Sequence, residues 1–319
     1  MLESLLPVLP LVLLLLAWLA EAFLLLAAAM ALLSHRLMVG ISRLDGKTIA
    51  ARLLSKGEFG PEALELPWIR ERIASPHGYE LAVHGLKGEG DRLAIFQHGV
   101  GWNWMGVLKY MEILRREGWS VAALDSRGHG ASGGKDPSYG FFEKGDLLAL
   151  ADWALARFPS SGGFAAFGLS LGAASVLQYA PLDPRLDAVV ADCPFSSAAE
   201  ELDHRLKRSF APFFLRPLVV RLMDLLCRRL DGFSLYAASP ERAILETDKP
   251  VLLVHGREDD YVPWRMSARM ARERRRLLPA ARTELLLVEG ATHARSHKAA
   301  PEAYERALLG FLDSAGRPC

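Results

Sequence analysis

The sequence predicts an α/β fold: an eight-stranded, mostly parallel sheet flanked by helices, preceded by an apolar N-terminal helix. Two patterns after residue 62 support this prediction. Short apolar runs alternate with segments of helical periodicity, which is typical of an open sheet whose strands are joined by helices. Several later runs are unbroken stretches of apolar residues, as expected for parallel strands covered on both faces.

Each apolar run and each helical segment has a definite position. The candidate strands are residues 64–74, 79–85, 93–97, 120–124, 164–167, 188–191, 251–254 and 284–288. The candidate helices between them are residues 103–116, 144–157, 171–179, 264–278 and 301–313. Together they predict one domain over 63–319.

Residues 196–248 interrupt this alternation and mix aromatic and aliphatic side chains with many arginines. We interpret the insertion as a small helical cap over a site. Two alternatives stay open: a surface helix pair with a solvated basic face, or basic amphipathic helices that contact anionic lipid head groups.

The composition excludes several classes of protein. Hydrophobic residues make up 51% of the chain and charged residues 24%, which excludes a disordered protein. A net charge of +1 gives no basic field for nucleic acid, so no nucleic-acid partner is expected. The three cysteines have no metal-ligand spacing, and no phosphate-binding, dinucleotide-binding or zinc-helix motif is present. No cofactor is therefore expected.

The sequence predicts a membrane anchor over 1–34, followed by a polar connector over 35–62. The run Leu5–Leu33 is apolar apart from Glu21 and exceeds the roughly 20 residues that cross a bilayer. The acid costs about 3 kcal/mol at mid-bilayer, which the many leucines offset.

The alternative to an anchor is a cleaved secretory signal. Glu3 and the lack of a basic residue before the run argue against it, whereas Ala-Met-Ala at 29–31 weakly resembles a cleavage site. Basic residues follow the helix and none precedes it, so the positive-inside rule predicts a single-pass protein with a cytoplasmic catalytic domain. The opposite orientation stays open.

The sharpest motif is Gly168-Leu169-Ser170-Leu171-Gly172, between a candidate strand and a candidate helix. A serine nucleophile needs a tight strand-to-helix turn with small neighbours, which the glycines supply. Ser170 is therefore the predicted nucleophile. The backbone N–H of Leu171, at the helix start, is a predicted oxyanion donor.

A second segment, His98-Gly99-Val100, ends another candidate strand. It would bring the Val100 backbone N–H beside the nucleophile as the second oxyanion donor. His98 precedes the serine in the chain, whereas the acid and base of such sites follow it. We therefore interpret His98 as a residue that shapes the loop by hydrogen bonding.

The acid and the base are sought after the last two candidate strands. Asp259 is the preferred acid, with Asp260 and Glu258 as alternatives; Asp260 could instead cap the helix near Trp264. His293 follows the final strand and is the preferred base. The alternative base, His297, would enter the next helix.

These segments, in this order, resemble the α/β-hydrolase superfamily across residues 64–313, in its branch of largely uncharacterised membrane-anchored serine hydrolases. Further support comes from Asp125–Gly134 and Asp192–Phe195. The resemblance implies eight central strands, a cap between the sixth and seventh, and a triad of Ser170, Asp259 and His293. Serine rather than aspartate at the elbow argues against dehalogenase-type members.

The expected function is hydrolysis of an ester, thioester or amide of a lipophilic acyl substrate through an acyl-enzyme on Ser170. The substrate would be a small-molecule or lipid acyl compound. One alternative is a peptidase or acyltransferase that uses the same triad. Another is a catalytically silent, membrane-tethered binding module, and the sequence gives no oligomeric state.

Overall fold

The apolar runs form one central sheet. The structure, a computed structural model, describes residues 9–40, 43–209 and 211–315. The strands are β1 Ile69–Ala74, β2 Glu80–Leu86, β3 Arg92–Gln97, β4 Ser120–Leu124, β5 Gly163–Leu169, β6 Ala188–Asp192, β7 Val251–Gly256 and β8 Thr283–Val288. Their order across the sheet is β1-β2-β4-β3-β5-β6-β7-β8. The predicted fold class is confirmed.

Some predicted segments extend beyond these ranges. Residues 1–8 of the predicted anchor, 41–42 of the connector, 210 of the cap and 316–319 of the catalytic domain lie outside the described residues.

The direction of pairing changes along the sheet. β1 pairs antiparallel with β2, and β2 pairs antiparallel with β4. From β4 to β8 every neighbouring pair is parallel. Every residue of β4, β6 and β7 is buried, because helices cover both faces of this part of the sheet. The carboxyl ends of β3 and β5–β8 therefore meet at one edge.

The helices form a layer on each face and a separate cap. They are α1 Leu9–Met38, α2 Gly46–Ser55, α3 Glu62–Glu65, α4 Leu108–Arg116, α5 Glu143–Leu155, α6 Leu171–Tyr179, α7 Ala198–Arg208, α8 Arg216–Leu226, α9 Pro240–Ala243, α10 Trp264–Leu277, α11 Ser296–Ala299 and α12 Pro301–Ala315. One layer contains α2, α4 and α12, and the other contains α5, α6 and α10. The insertion between β6 and β7 contains α7, α8 and α9.

The start of the first predicted strand is wrong. Residues 64–74 were expected to be extended, but α3 occupies Glu62–Glu65 and β1 begins only at Ile69. Acidic residues in the first turn favour this short helix. Pro67 ends it, since a residue before proline is driven out of helical geometry.

The connector is more ordered than its composition suggested. α2 begins at an Asp45 cap, whose side chain accepts a hydrogen bond from the Thr48 N–H. Ile49 and Leu53 of this helix are buried in the same core as α4. Residues 46–55 are therefore packed onto the domain.

The N-terminal helix also packs against the protein. Within the described residues, Pro10–Met38 is the one helix that is long and apolar enough to cross a membrane. Such a helix fits a membrane span or a signal sequence. Ala27, Ala31, Met38 and Val39 are buried in a cluster with α7 and α8 of the cap. The second half of α1 therefore contributes to the folded domain.

Candidate active site

Ser170 lies on a strained turn between β5 and α6. Its φ of 55° and ψ of −113° fall in a region that non-glycine residues rarely adopt. A Cβ on Gly168 would lie 2.2 Å from the carbonyl oxygen of Gly172, and one on Gly172 would lie 2.1 Å from that of Gln97. Only glycine fits at either position, which is the physical reason for the motif's spacing.

The structure brings Ser170, His293 and Asp259 together. Ser170 Oγ lies 2.8 Å from His293 Nε2, and His293 Nδ1 lies 2.7 Å from Asp259 Oδ2. The three residues come from the loops after β5, β7 and β8, which meet at one sheet edge. This is the geometry in which an imidazole takes a proton from a hydroxyl while a carboxylate orients the ring.

Asp259 is held as a carboxylate. Its Oδ1 accepts hydrogen bonds from the backbone N–H groups of Tyr261 and Val262, at 3.0 and 2.9 Å. Burial alone would raise its pKa, but hydrogen bonds with His255 and His293, the charge of His293 and the Val262 N–H lower the pKa below its ordinary value. The acid therefore stays ionised at neutral pH.

His255 is a site residue that the sequence analysis did not single out. Its ring is fully buried, and its Nε2 lies 3.2 Å from Asp259 Oδ2 and 2.9 Å from the Val262 carbonyl. Its Nδ1 lies 2.7 Å from Ser267 Oγ on α10. His255 therefore contacts the same carboxylate oxygen of Asp259 as His293 does. The His-Gly pair that ends β7 was the only available signal in the sequence.

The alternative acids and base lie elsewhere. Asp260 is exposed, and its carboxylate accepts a hydrogen bond from Arg208 of the cap at 2.8 Å rather than capping α10. Glu258 is exposed. His297 Nε2 lies 3.0 Å from Glu305 of α12.

The two predicted oxyanion donors border the same cleft as Ser170. A Cβ on Gly99 would lie 3.4 Å from the Ser170 Cβ, so the peptide that carries the Val100 N–H passes beside the serine. Leu171 is the first residue of α6, where backbone N–H groups lack partners within the helix. Their role as donors stays a prediction.

His98 and the loop after β4 shape the oxyanion region. His98 Nδ1 lies 2.7 Å from the Gly99 carbonyl, and its Nε2 accepts the Ser126 N–H at 2.9 Å. His129 Nε2 accepts the Gly101 N–H at 3.0 Å. His98 therefore shapes this loop by hydrogen bonding, as the sequence analysis expected.

The cleft over Ser170 has a volume of about 190 Å³. The cap contributes Glu201 and Arg205, and the loop after β4 contributes Tyr139. Leu37 and Met38, the last residues of α1, form another part of the wall. The N-terminal helix thus borders the same cleft as Ser170, which nothing in the sequence indicated.

The chain matches a protein family and a bacterial relative. The family described as serine aminopeptidase, S33, matches residues 88–242. The uncharacterized protein YqkD of Bacillus subtilis (strain 168) is 33% identical over 246 residues, which are 76% of this chain and 78% of YqkD.

Solved structures share the fold. The esterase Pf2001 of Pyrococcus furiosus superposes with a TM-score of 0.65 at 23% identity, covering 81% of this chain and 95% of the esterase. The acylaminoacyl peptidase of Pyrococcus horikoshii gives 0.59 at 15% identity, covering 76% of this chain and 41% of the peptidase. At these identities the likeness concerns the fold alone.

Proposed function

Because the chain belongs to the α/β-hydrolase superfamily, we propose that it is a serine hydrolase that cleaves an acyl ester, thioester or amide through an acyl-enzyme on Ser170. The observation that carries this proposal is the hydrogen-bonded series from Asp259 through His293 to Ser170. The esterase and peptidase among the structural neighbours support a hydrolase.

The proposed reaction has two acyl-transfer steps. His293 takes the proton of Ser170 as its oxygen attacks the carbonyl carbon, and the Val100 and Leu171 N–H groups hold the oxyanion. Each such donor stabilises the transition state by about 3 kcal/mol. His293 then protonates the leaving group, and it activates the water that releases the acid and restores Ser170.

We infer a lipophilic acyl substrate and a membrane location. The wall of the cleft is largely apolar, with Leu37, Met38, Val100 and Phe195 around the serine. A helix as apolar as α1, with a mean hydropathy of 2.5 over its most apolar window, favours single-pass anchoring. The basic residues after it favour a cytoplasmic catalytic domain.

One observation favours the aminopeptidase alternative. Glu201 is fully buried in the wall of the same cleft, and its Oε2 has no hydrogen-bond partner among the described residues. Its Oε1 accepts from Arg205 at 2.7 Å. A free α-ammonium group of a peptide substrate would supply a partner for Oε2.

Covalent labelling tests the proposal directly. A fluorophosphonate probe should react with the full chain and not with Ser170→Ala, and His293→Ala should slow labelling by about three orders of magnitude. Ser55→Ala, at an exposed serine of α2, is the matched control and should label normally.

The outcomes separate the alternatives. A wild-type chain that stays unlabelled while folded would contradict the proposal and favour a silent binding module. An unblocked aminoacyl anilide and an acyl ester, offered to the same preparation, distinguish the aminopeptidase from the esterase.

A further inference from the structure

A second, larger groove adjoins the cleft at Ser170. The groove has a volume of about 390 Å³ and lies between the end of α1 and helix α7 of the cap. Leu37, Met38, Arg205 and Tyr261 border both spaces. The rest of the groove is lined by Ser34 of α1 and by Leu202, Leu206, Arg208 and Ser209 at and after α7. A chain bound in the groove would therefore lie next to the Ser170 cleft.

The α1 side of the groove is fixed in place. The Tyr139 hydroxyl donates to the Met38 carbonyl at 2.9 Å, and Tyr139 also borders the nucleophile cleft. His35 Nε2 lies 2.6 Å from the Asp231 carboxylate of the cap. Met38 is 2% exposed. The last turn of α1 is thus a built wall of the site.

The cations at the groove already have partners. Arg205 donates to Glu201, and Arg208 donates to Asp260 at 2.8 Å. Because these charges are paired within the protein, the groove offers mainly apolar surface to an occupant. An acyl chain fits this chemistry better than a charged group does.

The exposed face of α1 beside the groove is apolar. Leu32, Leu33 and Leu37 are 57%, 58% and 69% exposed. Leu37 lies four residues after the end of the apolar run, which is about 6 Å along a helix. If α1 spans the membrane, the groove opens at the head-group level, where an acyl chain can leave the bilayer.

The edge of the cap lies beside the same helix. Phe213 and Phe214 are 76% and 57% exposed, and the Phe214 ring stacks on Phe23 of α1 at 6.0 Å between centroids. Phe23 lies ten residues before the end of the apolar run, about 15 Å along a helix, so these rings would face the hydrocarbon if α1 spans the membrane. The apolar face of α1 and the cap edge are therefore continuous.

We propose that the groove between the last turn of α1 and α7 is the acyl-chain site, with the membrane helix itself forming one of its walls. Leu37, Met38, Leu202 and Leu206 contact the chain, and its carbonyl reaches Ser170. This inference deepens the proposed serine hydrolase and depends on it.

Labelling with two fluorophosphonates that differ only in alkyl length tests the site. The full chain in lipid nanodiscs should react at least about tenfold faster with a dodecyl probe than with an ethyl probe, because burial of methylenes stabilises the complex. Ser34→Trp, which fills the groove and does not border the Ser170 cleft, should remove most of that difference and leave the ethyl rate unchanged. Leu37→Gln, at the wall that the groove and the cleft share, should also reduce the difference.

Leu33→Gln and Leu33→Trp are the matched controls, since Leu33 is exposed on the same helix and does not line the groove. A dodecyl advantage that survives both groove variants, or falls equally in the Leu33 variants, would overturn the acyl-chain site. Equal rates for both probes in the wild type would also overturn it. Absence of labelling by either probe would contradict the serine hydrolase instead.

Discussion

His98 acts on the proposed oxyanion site through the peptide that joins Gly99 to Val100. Its Nδ1–H donates to the Gly99 carbonyl, so the N–H of the same peptide, on Val100, points the opposite way. Its Nε2 accepts the Ser126 N–H, which fixes the tautomer. Burial lowers the pKa of His98 to about 3, so the ring stays neutral over the working pH range.

Removal of this ring should weaken catalysis more than binding. We expect His98→Ala to lower kcat for a soluble ester by about tenfold to a hundredfold and to change KM little, because a misplaced donor weakens only transition-state binding. His98→Asn should retain part of the activity if its amide still reaches the Gly99 carbonyl. The shape of the pH profile should not change, since His98 does not titrate there.

Steady-state kinetics and thermal unfolding of both variants check this prediction. Equal loss in both variants together with a raised KM would assign His98 a purely structural role.

The sequence could name the candidate nucleophile Ser170 and the candidate base His293 because each belongs to a short motif at a strand end. For the acid it favoured Asp259 and left Asp260 open. Their separation depends on a turn that leaves Asp259 5% exposed and directs the Asp260 side chain outwards to Arg208. The sequence also did not indicate that Ser267 of α10 is the hydrogen-bond partner of His255, because Ser267 belongs to no recognisable motif.

At the scale of elements, the strands and the N-terminal helix α1 were predictable, whereas the short helices α2 and α3 were not. The runs 188–191 in β6 and 251–254 in β7 consist of apolar residues, and this composition predicts burial on both faces of the sheet. α2 buries only Ile49 and Leu53, which is too little apolar periodicity to distinguish a helix from a connector.

The end of α1 accepts a hydrogen bond from the loop after β4. Tyr139 donates to the Met38 carbonyl, which lies in the last turn of the helix, where carbonyls lack helical partners. Tyr139→Phe should destabilise the docked turn by about 1–2 kcal/mol, because a buried acceptor loses its donor.

Hydrogen exchange of residues 34–40 should therefore speed up in this variant, with a small drop in Tm. Tyr236→Phe is the matched control, since Tyr236 is 41% exposed. Unchanged protection of the last turn in Tyr139→Phe would show that other contacts hold α1.

At the scale of the whole molecule, the N-terminal helix combines two features that a local pattern cannot connect. Its apolarity is visible in the sequence, but its contact with Tyr139 joins residues 101 positions apart. The same helix half carries Ala27 and Ala31, which are 0% and 1% exposed in the cap cluster. Cleavage near residue 31 would remove part of this core, and we therefore expect a retained helix.

Membrane retention tests whether α1 is kept as a membrane anchor. Residues 10–22 of α1 are exposed. Because about 20 residues are needed to span a bilayer, the hydrocarbon must also surround part of the second half of α1, which packs on the cap. We expect the intact 35.1 kDa chain to remain in membranes after alkaline carbonate extraction.

The double variant Leu14→Arg/Leu25→Arg should release the chain from the membrane, since each arginine costs about 3 kcal/mol in the bilayer. The two positions are 56% and 64% exposed and would face lipid. Lys144→Arg, which adds no charge, is the matched control. A chain whose mass shows loss of the first 31 residues would refute the anchor, and with it the α1 wall of the acyl-chain site.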